Sequence, residues 1–535
     1  MKNLRPGTLY LIAFALVQAF YLPTRTAGFV TDFTGLLGRF DGQGPAGIWD
    51  CFGFPALQQV LNAILYGMYS LFGTAHIPWY LLQTSLHALN GVLLFLLAQR
   101  WLLRLGHARP QAIAPLASLL FLLSPYASEP VTWRVAQNFL LVTAAALGSG
   151  LLALKWAERP NPKTWLAIMA CFLPALFTFE LALIIPALNA VLLLSLPGQR
   201  AAHALKVIAP QLALIVGYFF INRALLGSWV GHYGAEVHLR FQPLEVAANF
   251  LRYAAKHLLF ARYWPHTWKA ALFNGLLNPW AVWGLLALLS SALLYIAGTY
   301  RQQKPALKLF LLAALCYGAS LLPISNLYFN FTLLVENDRY GYLPSAFLSL
   351  GLISLLSLLA RRAVLIAAAI CLLPSAALLW STNQKWQVAN QMYHALLQGF
   401  NSYHAEEVYL LNLPDNYQGI GLFRDYSGQD HAFADALRYI RQQPYTGKIH
   451  EVAQYNLTRL TDGATAARDS SGQIRVEFEQ WGNWWWHRGI GMGSGYRSEG
   501  YEVISHGHHY FLLGAPPADG KAFLVQSGLG WKEVE

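Results

Sequence analysis

Glu336-Asn337-Asp338-Arg339-Tyr340-Gly341-Tyr342-Leu343-Pro344-Ser345 opens a stretch that then runs without a charge to Ala360. Residues 341–360 are apolar over about the 20 positions that a helix needs to cross a bilayer. Arg361 and Arg362 close the stretch at its far end. Two acids and an arginine stand at one mouth of this run, and a basic pair stands at the other. A segment of that kind reads as a membrane span with two chemically different ends.

The same unit recurs along the chain. Apolar runs place further spans near 7–23, 78–99, 112–126, 135–154, 164–179, 181–197, 207–226, 276–299, 306–323 and 363–380. Hydrophobic residues make up 56% of the chain and charged residues 12%, half the ~25% of an ordinary soluble domain. From about residue 384 the texture turns polar and no further span-length run appears. The expected fold is an all-α polytopic membrane domain of about 11 transmembrane helices with a small C-terminal α+β soluble domain. The boundaries are 1–383 for the membrane domain, 384–400 for a juxtamembrane connector and 401–535 for the soluble domain.

The formal charge of +11 does not point to nucleic acid, because its lysines and arginines are spread over short connections. Lys2 and Arg5, then Arg100, Arg104 and Arg109, then Lys155, Arg159 and Lys163, fall on one side of the predicted spans. Arg200 and Lys206, Arg301, Lys304 and Lys308, and Arg361 with Arg362 continue the alternation. Basic connections mark the cytoplasmic face. The expected placement is a multi-pass cell-membrane protein with its N-terminus cytoplasmic and its C-terminal domain extracytoplasmic. Residues 9–22 follow Lys2 and Arg5 without a small-residue cleavage site, so they read as an uncleaved first span. Cys51, Cys171, Cys316 and Cys371 show neither metal spacing nor a disulfide framework.

The outer connections hold the candidate chemistry. Ionisable groups near membrane spans are functional candidates, since they are costly to desolvate. Four places qualify: Asp32 in Phe29-Val30-Thr31-Asp32-Phe33, Glu129 and Arg134 in Ser124–Arg134, Glu180 in Thr178-Phe179-Glu180, and Asp338-Arg339-Tyr340. Each glutamate could equally cap a helix end or pair with a nearby arginine, and Arg339 could pair with Glu336 or Asp338. Asp41 and Asp50 compete with Asp32 within one loop. The segment 248–269 mixes Arg252, Lys256, His257, Arg262, His266 and Lys269 with aromatic residues. It suits a helix lying in the outer headgroup layer, or a site for the phosphate of a lipid substrate. His87 reads as a hydrogen-bonded packing residue.

On these residues the chain resembles the polytopic glycosyltransferases of the GT-C fold, which take sugar from a polyprenyl-phosphate donor. It is most similar to the transmembrane and tetratricopeptide-repeat O-mannosyltransferases and their bacterial relatives, without the repeats. Arg339-Tyr340 with Tyr342-Leu343-Pro344-Ser345 is similar to that family's Glu-Arg-Tyr-Leu-Tyr-Leu-Pro-Ser run. Glu129 matches the glutamate of its His-Pro-Val-His-x-Glu motif, with Ser124 and Ala127 at the histidine positions. Glu180 matches the glutamate of its Ser-Lys-Glu motif, and His87 with Asn90 resemble its second-span pattern. The family's paired acids in the first outer loop correspond here to Asp32 followed by Phe33.

The resemblance implies a glycosyltransferase, inverting, that acts outside the membrane on a protein or glycan hydroxyl. Asp32 takes the base role, and Glu129, Arg134, Glu180, Arg339, Tyr340, Lys256, His257 and Arg262 bind substrate. The partners are the polyprenyl-phosphate-linked sugar, the acceptor and the lipid bilayer. No cofactor is required, no metal ligands are assigned, and a divalent metal is left open. A lipid-linked-sugar transporter or a membrane assembly scaffold is the alternative.

Strand signals near 407–413, 449–455, 474–478, 501–504, 509–513 and 522–525 and a helix at 432–442 outline the C-terminal domain. Gly489, Gly491, Gly493 and Gly495 read as a flexible turn. His506, His508 and His509 lack the partners of a metal site. Trp481, Trp484, Trp485 and Trp486 suit docking on the outer leaflet or stacking on sugar rings.

Overall fold

An apolar run in a bilayer has no water to satisfy its peptide groups, so it must close its hydrogen bonds internally as a helix. The computed structural model describes residues 5–50, 56–198, 200–229, 243–300, 304–325, 338–400, 405–423, 431–478, 484–485, 495–498, 500–506, 509–515 and 520–534. All eleven expected spans fall on helices: Pro6–Tyr21, His76–Arg104, Pro110–Leu122, Gln137–Glu158, Pro162–Leu176, Ile185–Leu194, Ala201–Leu226, Pro279–Thr299, Lys304–Leu321, Tyr342–Leu356 and Arg361–Gly399. Among the described residues, 7 are long and apolar enough to cross a bilayer alone, or up to 8 with the bent pair Pro110–Leu122 and Pro125–Thr132. Pro162–Leu176 and Tyr342–Leu356 have 15 residues each, about 22 Å at 1.5 Å per residue. The first ends just past Pro174, which removes a backbone donor, and the second ends where the Ser357 hydroxyl turns back onto Ser354 O, while Ser354 reaches across to Ala306 O on Lys304–Leu321.

Small residues and buried polar groups bring the helices together. A Cβ on Gly91 would lie 2.5 Å from Leu122, and the Ser118 hydroxyl donates to Gly91 O at 2.7 Å. The second and third spans therefore touch at backbone distance, as small residues permit in membranes. His87 bridges the Tyr342 hydroxyl (2.6 Å) and Leu122 O (3.2 Å), and Asn90 donates to the same tyrosine at 3.2 Å. This ties the second, third and tenth spans together and gives His87 the packing role expected of it. Leu288, Leu294 and Tyr295 on Pro279–Thr299 are exposed, as suits a surface covered by lipid.

The last helix departs from expectation. It does not stop near residue 380 but runs for 39 residues to Gly399, about 58 Å against a hydrocarbon core of ~30 Å. Residues 384–400, read as a connector, are its outer end. Trp386, Ala389, Met392, Tyr393, Leu396, Leu397 and Phe400 recur at helical spacing and are buried in the core of the C-terminal domain. Their polar neighbours hid the helix from a search for apolar runs.

That domain is mixed α and β. Glu407–Leu410 lies between Lys448–Glu451 and Lys521–Ser527, parallel to both, with Gly530–Glu533 on the outer edge. Ala464–Arg468, Ile474–Phe478, Tyr510–Gly514, Tyr501–His506 and Tyr496–Ser498 make an antiparallel sheet in that order. A third sheet joins Ile420–Gly421, Leu413–Tyr417, Gln454–Leu457 and Trp484–Trp485. The expected helix appears as Ala432–Asp435 continued by a π-turn through Ala436–Ile440. Cys51, Glu336, Trp481, Trp486, Gly489, Gly491, Gly493 and His508 lie outside the described residues.

Gly91→Ala should destabilise the detergent-solubilised protein by about 1–3 kcal/mol, the usual cost of overpacking. Gly67 has open space around it within the helix Gln59–Phe72. Gly67→Ala should therefore leave the melting temperature unchanged or raise it, and thermal unfolding of the two variants checks both expectations.

Candidate functional site

Ser124 to Arg134 holds two prolines in eleven residues, so no continuous helix can form there. The chain bends by 51° between Pro110–Leu122 and Pro125–Thr132, which points Glu129 inward. Its carboxylate accepts from the Arg339 backbone N–H at 2.8 Å and from the Arg339 guanidinium at 2.6 Å. Glu129 is 7% exposed and Arg339 9%. The guanidinium also lies 5.0 Å from the ring centres of both Trp133 and Tyr340. Among the described residues Arg339 thus pairs with Glu129, 210 residues away in sequence, and Glu336 lies outside those residues. Asp338, 1% exposed, turns the opposite way and pairs with Lys256 at 2.8 Å and with Arg262.

The segment 248–269 supplies those cations from Pro243–Leu259 and the short turn Ala261–Tyr263. Arg252, Lys256 and Arg262 are buried instead of facing a headgroup layer. The cause is internal pairing: Arg252 donates to Phe273 O, and the other two meet Asp338. The Tyr126 hydroxyl donates to Lys256 O, and its ring lies 5.8 Å from the Lys256 ammonium and 5.6 Å from Arg262. His257 meets Tyr126 edge-on at 4.8 Å and hydrogen-bonds the Tyr317 hydroxyl at 3.0 Å. Arg262 reaches Thr382 on the last helix at 3.0 Å, and Tyr263 shares that threonine at 2.7 Å.

Half-buried Lys269 donates to Arg262 O, and Lys385 lies 5.9 Å from the Tyr263 ring centre. Burial, with Arg262 and Lys256 close by, holds the Lys269 ammonium below its ordinary value. Among the described residues, Lys256, Arg262, Arg339, Lys269 and Lys385 gather around the carboxylates of Asp338 and Glu129, which makes the cluster rich in cations. Beside it lies a mostly apolar crevice of about 70 Å³, lined by Leu120, Tyr126, His257, Phe260, Ser345 and Leu352 among others.

Asp32 reaches this assembly through its loop. Gly28 has φ +99°, and a Cβ there would lie 2.0 Å from Thr132 O. Its carbonyl accepts from the Arg134 N–H at 3.0 Å, and the Trp133 indole donates to Val30 O at 3.2 Å. Trp133 therefore touches the Asp32 loop with its edge and Arg339 with its face. Arg134, expected to bind substrate, has 0% exposure. Its guanidinium donates to Thr24 O (3.1 Å) and to Gln83 Oε1 (2.7 Å). With no surface to offer a ligand, it anchors the loop. Asp32 itself is half-buried at the start of the helix Phe33–Gln43. Its competitors point elsewhere: Asp41 pairs with Arg438 at 3.3 Å, and Asp50 accepts from Gln43 at 3.2 Å.

Glu180 begins the turn Glu180–Ile184, half-buried, and no hydrogen bond or ion pair among the described residues joins it to the cluster. An aromatic chain from Phe179 through Phe139 to Tyr340 links the two places. Sequence reasoning missed Gly28, Tyr126, Trp133, Thr382 and Lys385. Tyr126 and Trp133, both inside the stretch Ser124–Arg134, were the two with a visible signal. Among the described residues no group of three or more His, Cys, Asp or Glu is placed to hold a metal ion.

No protein-family model matches the chain, and no curated protein matches it. Among solved structures, the crystal structure of ArnT from Cupriavidus metallidurans bound to undecaprenyl phosphate is similar over 96% of this chain and 99% of that one. The TM-score is 0.38 and the sequence identity 14%. A likeness of that strength leaves fold and function to be argued from the residues.

Asp338→Asn should destabilise the protein by about 3–5 kcal/mol, since it leaves Lys256 and Arg262 buried without their counter-charge. Adding Lys256→Met should recover part of that loss. Thermal unfolding in detergent, followed by tryptophan fluorescence, checks both.

Proposed function

We propose that this chain is a membrane glycosyltransferase of the GT-C kind, moving a sugar from a polyprenyl-phosphate donor to a protein or glycan hydroxyl on the extracytoplasmic side. The observation that carries this proposal is a cation-rich cluster beside an apolar crevice, with the Asp32 loop held against Trp133, whose ring covers Arg339. A lipid phosphate presents a hydrocarbon tail and an anionic head; the cluster suits the head, and the crevice of about 70 Å³ has room for the few tail carbons next to it.

The chemistry follows from the placement. The acceptor hydroxyl gives its proton to the Asp32 carboxylate as its oxygen attacks the anomeric carbon. The bond from that carbon to the phosphate oxygen breaks, and the electron pair leaves with the lipid phosphate, inverting the anomeric centre. Lys269 and Lys385, each half-buried, retain accessible surface and take the phosphate charge directly, with Arg339, 9% exposed, behind them. Lys256 and Arg262 act from behind through their field, which is strengthened where water is excluded. Glu129 holds the Arg339 guanidinium in place against Trp133 and Tyr340, and His257 lines the tail crevice. Glu180 positions an acceptor hydroxyl or a cation.

Purified protein in liposomes, given a labelled polyprenyl-phosphate sugar and candidate acceptors, tests the proposal. Asp32→Asn should lower transfer about 10²–10⁴-fold with folding intact, and Arg339→Gln should also lower it. Full activity of Asp32→Asn would remove the base assignment. Movement of the lipid between leaflets with no transfer product would favour a transporter instead. For orientation, alkaline phosphatase fused after Glu535 should be active in cells, and inactivity would reverse the topology.

A further inference from the structure

We propose that the C-terminal domain is part of the catalytic apparatus, with Gly421 and Thr31 acting as a positioning pair that sets Asp32. This inference rests on the assignment of Asp32 as base. Thr31 is β-branched yet has φ 56°, a left-handed conformation that costs about 1–3 kcal/mol and persists only where its surroundings impose it. Those surroundings come from the far end of the chain. The Thr31 N–H donates to Leu422 O at 3.0 Å, and a Cβ on Gly421 would stand 2.4 Å from Thr31 Cγ2. Glycine at 421 is what lets the hairpin and the loop approach this closely.

The hairpin is a rigid surface to press against. Leu413–Tyr417 and Ile420–Gly421 are joined by Gln418 (φ 52°) and Gly419 (φ 84°), the tight two-residue turn that matches strand twist. The Asn416 side chain accepts from the Gly419 N–H at 2.9 Å, and Leu422 N donates to Asp415 O at 2.7 Å. Leu413–Tyr417 is further fixed by parallel pairing with Gln454–Leu457. On the membrane side, Gly28 and Val30 are held by Thr132–Arg134, while the Val30 side chain enters the domain's core. Residues 28–31 are thus clamped between the third-span motif and the terminal domain. Thr31 O then accepts from the Thr34 N–H and hydroxyl, which starts the helix Phe33–Gln43 with Asp32 at its head. A shift at Thr31 therefore moves the Asp32 carboxylate directly.

The test is a double-mutant cycle in full-length protein reconstituted with labelled polyprenyl-phosphate sugar. Gly421→Ala puts a methyl group into Thr31 Cγ2. Its kcat should fall about 10–100-fold, the range for a misplacement near 1 Å, with donor KM changed less than about twofold. Thr31→Ser removes Cγ2 and sets the reference. In that background Gly421→Ala should cost less than about threefold, the coupling expected of residues in contact. Thr31→Ile, which adds bulk from the loop side and leaves the hairpin intact, should also lower kcat with KM preserved. It decides the matter if Gly421→Ala does not fold. Unchanged kcat in folded Gly421→Ala, or an equal loss with and without Thr31 Cγ2, would overturn the proposal. Full activity in Asp32→Asn would instead overturn the base assignment, whatever the pair does.

Discussion

Asp338 and Arg339 are neighbours in sequence that commit their charges to opposite sides of one buried junction. Charge withdrawn from water at this depth must find a partner or be neutralised. Asp338 is met by Lys256 and Arg262, and Arg339 by Glu129. Those two pairings bring the third span, the segment 243–263 and the entrance of the tenth span to one place. Arg262 adds the last helix through Thr382. A membrane offers little hydrophobic drive for helices to associate, so packing and polar contacts of this kind must fix their arrangement. Among the described residues the junction is rich in cations, and an anionic ligand would meet them there.

Two devices connect the junction to the water-exposed half. One is the last helix, whose apolar face changes solvent along its length, from lipid and neighbouring spans to the core of the terminal domain. A single rod of this length therefore belongs to both halves at once. The other is the loop 24–32, pinned by Arg134 on one side and by Gly421 and Leu422 on the other. Arg134 can be fully buried without a carboxylate partner because Thr24 O and Gln83 Oε1 accept from it. That arrangement suits an anchor and would be poor for ligand exchange.

Much of this was legible from residues alone, for physical reasons. All eleven apolar runs became helices, because length and hydropathy act locally. Glu129, Arg339 and Lys256 stood out because charge beside a span is costly wherever it finally points. Partner choice was not legible in the same way. Arg339 had acids one and three positions away in view, yet among the described residues it pairs with Glu129 from a different span, since backbone direction separates neighbours that sequence places together. The helical outer end at 384–399 was missed because its apolar positions recur at helical spacing among polar ones, so its average is unremarkable. The contact of Thr31 with Gly421 spans 390 residues, and nothing local announces it.

The two clamped sides of the loop impose different constraints on what surrounds Asp32. The membrane side is set by backbone contacts at Gly28 and by the Trp133 ring, which also covers Arg339. Any displacement of Arg339 is therefore felt at the Asp32 loop through one aromatic plane. The domain side is set by a hairpin with no such link to the cluster, so it can move only together with the terminal domain. An acceptor held by that domain would then approach along the same rigid body that orients the base. Under the proposed function, alignment of hydroxyl and carboxylate would be a property of domain docking, and alignment of phosphate and cations a property of the spans.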